Sequence, residues 1–98
     1  MALTQLAFCR VGSIADGVAL PVTNPTGVAS EAITPSGSNQ QSSAATRGFV
    51  RISTDTAIYV AFGSNPDATT ATARFHMPAN SVEWFTVGIG DKVAVVTA

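Results

Sequence analysis

The sequence predicts an all-β domain: a small antiparallel β-sandwich or barrel, with an extended N-terminal segment and a long irregular loop. Three observations predict it. Apolar residues alternate with period two in short runs, as in Ile58, Val60 and Phe62 against Tyr59 and Ala61. Turn signals rich in Gly, Pro, Asn and Asp separate those runs, as in Gly63-Ser64-Asn65-Pro66-Asp67. Helical periodicity is nearly missing, because Gly, Pro and β-branched residues interrupt any i, i+3, i+4 pattern.

Taken in order, residues 5–11 form the first run, with Leu6 and Phe8 on one face and Ala7 and Cys9 on the other. Asp16-Gly17 is a hairpin-type turn signal, and residues 18–22 follow as a second strand. Pro21 cannot donate to a ladder, so that strand should lie at a sheet edge or end near Pro21. Residues 24–48 read as one long loop, because Asn24-Pro25, Gly27, Pro35, Gly37 and a polar Ser/Asn/Gln run disfavour regular structure. It reads equally as a surface loop or as an arm that orders against a neighbour.

The second half is denser. Residues 49–53 form a strand with Val50 and Ile52 on one face. Residues 57–62 are apolar on both faces, so this strand belongs in the centre of a sheet. Residues 71–77 form a strand that pairs with residues 82–87 as a hairpin around Pro78-Ala79-Asn80. The last strand covers residues 92–96, after Gly88-Ile89-Gly90-Asp91.

A chain of 98 residues fits one domain, here divided as 1–23 (strands or arm), 24–48 (loop) and 49–98 (β core). So short a chain buries a modest share of its surface, and disulfides, metals or self-association often supplement such a core. Cys9 is the only cysteine and His76 the only histidine, so neither a disulfide within the chain nor a Cys/His metal cluster is expected. Self-association is the route left. Charged residues make up 11% of the chain, against about a quarter in an average soluble domain, which suits faces covered by neighbours.

A net charge of −1 with scattered Arg10, Arg47, Arg51, Arg74 and Lys92 argues against nucleic acid as a partner. No apolar run approaches the roughly 20 residues of a membrane span. The N-terminal stretch lacks a basic n-region, so synthesis in the cytoplasm is expected. Cys9 beside Phe8 reads as a small buried hydrophobe.

Enzymatic chemistry finds little support. A Ser-His-Asp site needs a histidine between nucleophile and carboxylate, and His76 sits in a strand with no Gly-x-Ser-x-Gly nearby. Asp16, Asp55, Asp67 and Asp91 occupy turn contexts, where short carboxylates cap local backbone. Gly88-Ile89-Gly90 lacks the third glycine, helix and Lys-Ser/Thr pair of a phosphate loop. The expectation is no catalytic, cofactor or metal residue and no small-molecule substrate. Trp84-Phe85 reads as split between core and interface, with Glu83 on the Phe85 side and Arg51, Arg74 or Lys92 as its partner if that side is buried.

Five blocks in order carry a resemblance: Val50-Arg51-Ile52-Ser53-Thr54-Asp55-Thr56-Ala57; Val60-Ala61-Phe62-Gly63-Ser64-Asn65-Pro66; Ala68-Thr69-Thr70-Ala71; Met77-Pro78-Ala79-Asn80-Ser81-Val82-Glu83-Trp84-Phe85; and Gly90-Asp91-Lys92-Val93-Ala94-Val95. With these the segment 49–96, about half the chain, resembles the capsid-associated cement or decoration proteins of tailed bacteriophages. The N-terminal half does not share it. The resemblance implies a β-sandwich-like fold, a homotrimer, and a place on the outer capsid surface after synthesis in the host cytoplasm. It also implies a structural role, stabilising the head by bridging major capsid subunits. For association the expected residues are Leu3, Leu6, Phe8 and Ile33, and removing residues 1–11 should abolish shell binding without unfolding the domain. The competing expectations are a glycan- or receptor-binding module of a head fibre or tail, using Trp84 or Tyr59, and a head–tail connector subunit.

Overall fold

The computed structural model describes residues 3–13 and 19–98, with side chains at 3–9 and 29–98. Among the described residues eight strands run β1 (Thr4–Ser13), β2 (Ala19–Ile33), β3 (Gln40–Gln41), β4 (Phe49–Thr54), β5 (Ile58–Gly63), β6 (Phe75–Met77), β7 (Ser81–Thr86) and β8 (Lys92–Thr97). They form two antiparallel four-stranded sheets, sheet A in the order β2-β1-β4-β7 and sheet B in the order β3-β8-β5-β6. The two sheets pack face to face, so the architecture is a β-sandwich.

Period-two alternation explains the core. Leu6 and Phe8 of β1 and Val50 and Ile52 of β4 meet Ile58 and Val60 of β5, Met77 of β6 and Val93 and Val95 of β8. All nine are buried. β5 and β8 are the central strands of sheet B, as their two-sided apolar pattern requires. Their outer side chains, Ala61, Ala94 and Val96, form a second small cluster with Ala68 from the β5–β6 connection. Tyr59 packs against it, and the Arg74 guanidinium lies 3.6 Å from the centre of its ring.

Three expectations need correction. The irregular stretch is shorter than residues 24–48, because β2 continues to Ile33 and pairs with β1 as far as Thr4. Its prolines are tolerated because β2 is an edge strand, the position expected for the Pro21 strand. Residues 34–48 carry only β3, two residues long.

The strand expected at residues 71–77 is confined to Phe75–Met77. It also makes no hairpin with β7. β6 pairs with β5 in sheet B and β7 with β4 in sheet A, so Pro78-Ala79-Asn80 carries the chain between sheets. Asn80 takes a left-handed conformation there (φ 58°), which asparagine tolerates better than most residues. The Asp16-Gly17 turn lies outside the described residues.

The N-terminal segment is a strand of the sandwich and not a separate arm. β1 lies between β2 and β4 and pairs with both. Its start is pinned: the Leu3 amide donates to Asp55 Oδ1 (2.7 Å), and the Asp55 amide donates to the Leu3 carbonyl. The buried Thr4 and Thr54 hydroxyls lie 3.1 Å apart.

Candidate interaction surface

The expected association residues divide on this framework. Leu6, Phe8 and Ile33 are buried in the chain's own core. Leu3 is half-buried beside Asp55. The alternation that places Leu6 and Phe8 on one face is the signature of a core strand, and the core is where they go. Ile33 closes the end of β2 over the same core. None of these three side chains offers a docking surface in the folded chain.

The exposed surface lies on the opposite side of sheet A. Register assigns each side chain to a face, since directly paired residues of antiparallel strands share one. The outer face therefore carries Ser30 and Ala32 of β2, Gln5 and Ala7 of β1, Arg51 and Ser53 of β4, and Val82, Trp84 and Thr86 of β7. Most of these are exposed, and Trp84 keeps 47% of its surface in solvent. Cys9 has the same facing opposite Phe49 but is buried. Among the described strand residues of this face Arg51 alone is charged, and the exposed Asp55 follows at the end of β4. Two shallow depressions mark it, one between Gln5, Ala7, Ser30, Glu31, Ala32 and Arg51, the other between Gln5, Ser53, Asp55, Asn80 and Val82.

The outer face of sheet B is closed in comparison. The segment after β5 lies across it and is strapped to Asn39 before β3 and to Gln41 of β3. Asn39 Nδ2 donates to the Pro66 carbonyl (3.0 Å), the Ala68 amide donates to Asn39 Oδ1 (2.9 Å), and Gln41 Nε2 donates to Asn65 Oδ1 and the Pro66 carbonyl. Ala68 is completely buried beneath this strap.

His76 lies on the same side of sheet B, opposite Tyr59 in the register with ring centres 5.4 Å apart, and is exposed at the β6 edge. The turn acids cap backbone: Asp67 Oδ1 accepts from the Thr69 amide and hydroxyl, and Asp55 holds Leu3. Thr69 thereby holds the fully exposed Asp67 carboxyl below its ordinary 3.8. Among the described residues no group of three or more His, Cys, Asp or Glu is placed to hold a metal ion.

The two sides of the sandwich close differently. On the β2 side, Glu31 accepts from the Ser43 amide (2.9 Å) and hydroxyl, joining sheet A to the segment after β3. On the β7 side the closure is aromatic: Phe62, Phe75 and Phe85 form a triangle with ring centres 4.9–6.4 Å apart. Glu83, on the Phe85 side of β7, is exposed at the sheet edge and needs no buried partner. The sequence marked Trp84 but not the open face it belongs to, which depends on pairing across four strands. Compared with family models, with curated proteins and with solved structures, the chain matches none.

Proposed function

We propose that this chain is a virion structural protein, a capsid cement or decoration protein that stabilises a phage head by seating on major capsid subunits. The observation that carries the reading is the open outer face of sheet A: an exposed four-stranded surface whose described strand residues carry one charge, Arg51, with Glu31 and Asp55 at its margins. A surface of that kind is suited to burial against another protein, because few charges have to be desolvated. The resemblance of residues 49–96 and the low charge of the whole chain support the same reading. Self-association belongs to it, since many copies bound together hold a lattice more tightly than each copy alone.

Binding to head shells assembled from major capsid protein tests it. Ala7→Arg places a long cation in the middle of the open face, on the exposed side of a central strand. Cosedimentation of the wild-type chain with shells, lost in Ala7→Arg at an unchanged melting temperature, is the expected result. Wild-type protein that stays in the supernatant rejects the proposal.

A glycan-binding module is the second reading, favoured by one observation: the half-exposed Trp84 ring lies beside Arg51 on the open face. Tyr59, the other aromatic considered, has Arg74 over its ring. Saturable quenching of Trp84 fluorescence by oligosaccharides, with no shell binding, selects this reading instead.

A further inference from the structure

Sheet edges expose unpaired backbone groups, and natural proteins protect them with short strands, prolines, bulges or lysines. The sandwich has four edge strands. β2 contains Pro21 and Pro25, and its pairing with β1 has two register shifts. β3 has two residues, and β6 has three and is followed by Pro78. β7 has fewer of these protections: it is six residues long, Ser-Val-Glu-Trp-Phe-Thr, without proline, lysine or arginine, and Glu83 on its inner side is its one charge. The exposed large hydrophobics of the described residues also gather here. Val82 and Trp84 lie on β7, Phe75 (60% exposed) packs against Phe85, and Ile89 lies in the turn after β7. Such a cluster marks an interaction site.

We infer that β7 pairs antiparallel with β7 of a second copy across a two-fold axis, joining two A sheets into one continuous sheet. Hydrogen bonding fixes which groups are available. The Val87 amide donates to the Gly48 carbonyl (2.9 Å), one step beyond the Phe49–Thr86 pair. Alternation along an antiparallel ladder then directs the backbone groups of Ser81, Glu83 and Phe85 toward β4. Those of Val82, Trp84 and Thr86 point outward, at the open edge.

A two-fold perpendicular to the sheet pairs residues of one face with each other, and one register uses the outward groups best. Centred on Trp84, it pairs Trp84 with Trp84 and Val82 with Thr86 of the second copy, which engages every outward amide and carbonyl of β7. Centring on Glu83 sets two carboxylates directly opposite, which is repulsive. Centring on Phe85 moves the Val82 groups opposite Gly88, beyond the end of β7. In the Trp84 register Glu83 faces Phe85 of the second copy, so no like charges meet. The strand is self-complementary, as an isologous contact requires. A contact of this length is small, so association is concentration-dependent. The symmetry is two-fold, in place of the three-fold that the phage resemblance implies. The dimer also presents two open faces side by side.

The first test is solution mass by sedimentation across a concentration series. The expected result is a rise from one chain to two. Trp84→Lys and Trp84→Glu, each placing like charges opposite on the axis, should both stay monomeric, and their equimolar mixture should regain the two-chain mass. Hydrogen exchange of the wild-type chain supplies a readout that needs no variant. At a concentration where about nine-tenths of chains are paired, the Val82, Trp84 and Thr86 amides should exchange about tenfold more slowly than in dilute solution. A wild-type chain that is monomeric throughout overturns the inference. So does a dimer whose three outward amides are unprotected, or one that the Lys and Glu variants do not reconstitute on mixing. Neither readout involves shells, so failure here is distinct from failure of the capsid reading.

Discussion

The Thr54 hydroxyl shows how single polar atoms hold this sandwich. It donates to the Thr56 carbonyl (2.7 Å), accepts from the Thr56 amide (3.3 Å) and takes the Thr4 hydroxyl as its third neighbour. One oxygen thereby shapes the turn out of β4 and ties it to the start of β1, in a place where an unpaired hydroxyl is costly. Asp67 does similar work outside the core, capping the turn after β5 through Thr69. The Thr69 hydroxyl bond, then its amide bond, lowers the Asp67 pKa, so the folded chain binds that proton less readily than the unfolded chain. The resulting contribution is fully present above the unfolded pKa, and it is lost as pH falls through the lower folded value. An NMR titration should therefore place Asp67 below 3.8 in the wild type, and Thr69→Ala should move it upward. An unchanged midpoint in Thr69→Ala would show that the Thr69 hydroxyl does not set it.

Among the elements, the strands of the second half were legible because turn residues punctuate a clear period of two, while the end of β2 was not. Pro25 and Gly27 read locally as breakers, and they fall where the β1 register breaks, between the Phe8–Ala29 and Arg10–Asn24 pairs, which an edge strand tolerates. Periodicity assigns a residue to a face but does not say which sheet the strand joins, so β6 and β7 resemble a hairpin until their partners are known. The turn before β8 was legible as a turn, though not in its attachment: the Gly90 amide donates to the Ala45 carbonyl (2.8 Å), and the Ala45 amide donates to the Asp91 carbonyl (2.7 Å). Gly90 has φ +91°, a conformation that glycine adopts without strain. The strap over sheet B depends most on Asn39, which accepts from the amide of the buried Ala68. Asn39→Ala leaves that amide and the Pro66 carbonyl without this partner and should cost about 1–3 kcal/mol. Urea denaturation should show it as a lower midpoint at an unchanged slope. An unchanged midpoint would mean that Gln41 alone holds the strap.

For the whole molecule, the open face and the closed core are two sides of one sheet, which limits how function can be separated from stability. β1 supplies Leu6 and Phe8 to the core from its inner side and Gln5 and Ala7 to the exposed face from its outer side. Apolar alternation at the N-terminus was legible in the sequence; its role was not, because an arm that grips a neighbour and a strand that completes a core have the same pattern. Pairing decides between them, and β1 has a partner on each side. Removing residues 1–11 would strip β2 of its neighbour in sheet A, open one edge of β4 and delete both core side chains. Truncating a single core Leu or Phe costs about 2–5 kcal/mol, against a total of about 5–15 kcal/mol for a typical domain. Losing two such side chains together with a central strand exceeds what a chain this short retains. The truncated protein should therefore lose its cooperative thermal transition and its dispersed amide NMR spectrum, so a binding defect in it would reflect unfolding and not a missing arm. A cooperative melt in the truncated chain would instead show that β2 and β4 close the sheet without β1, and would return the N-terminal segment to the role of a docking arm.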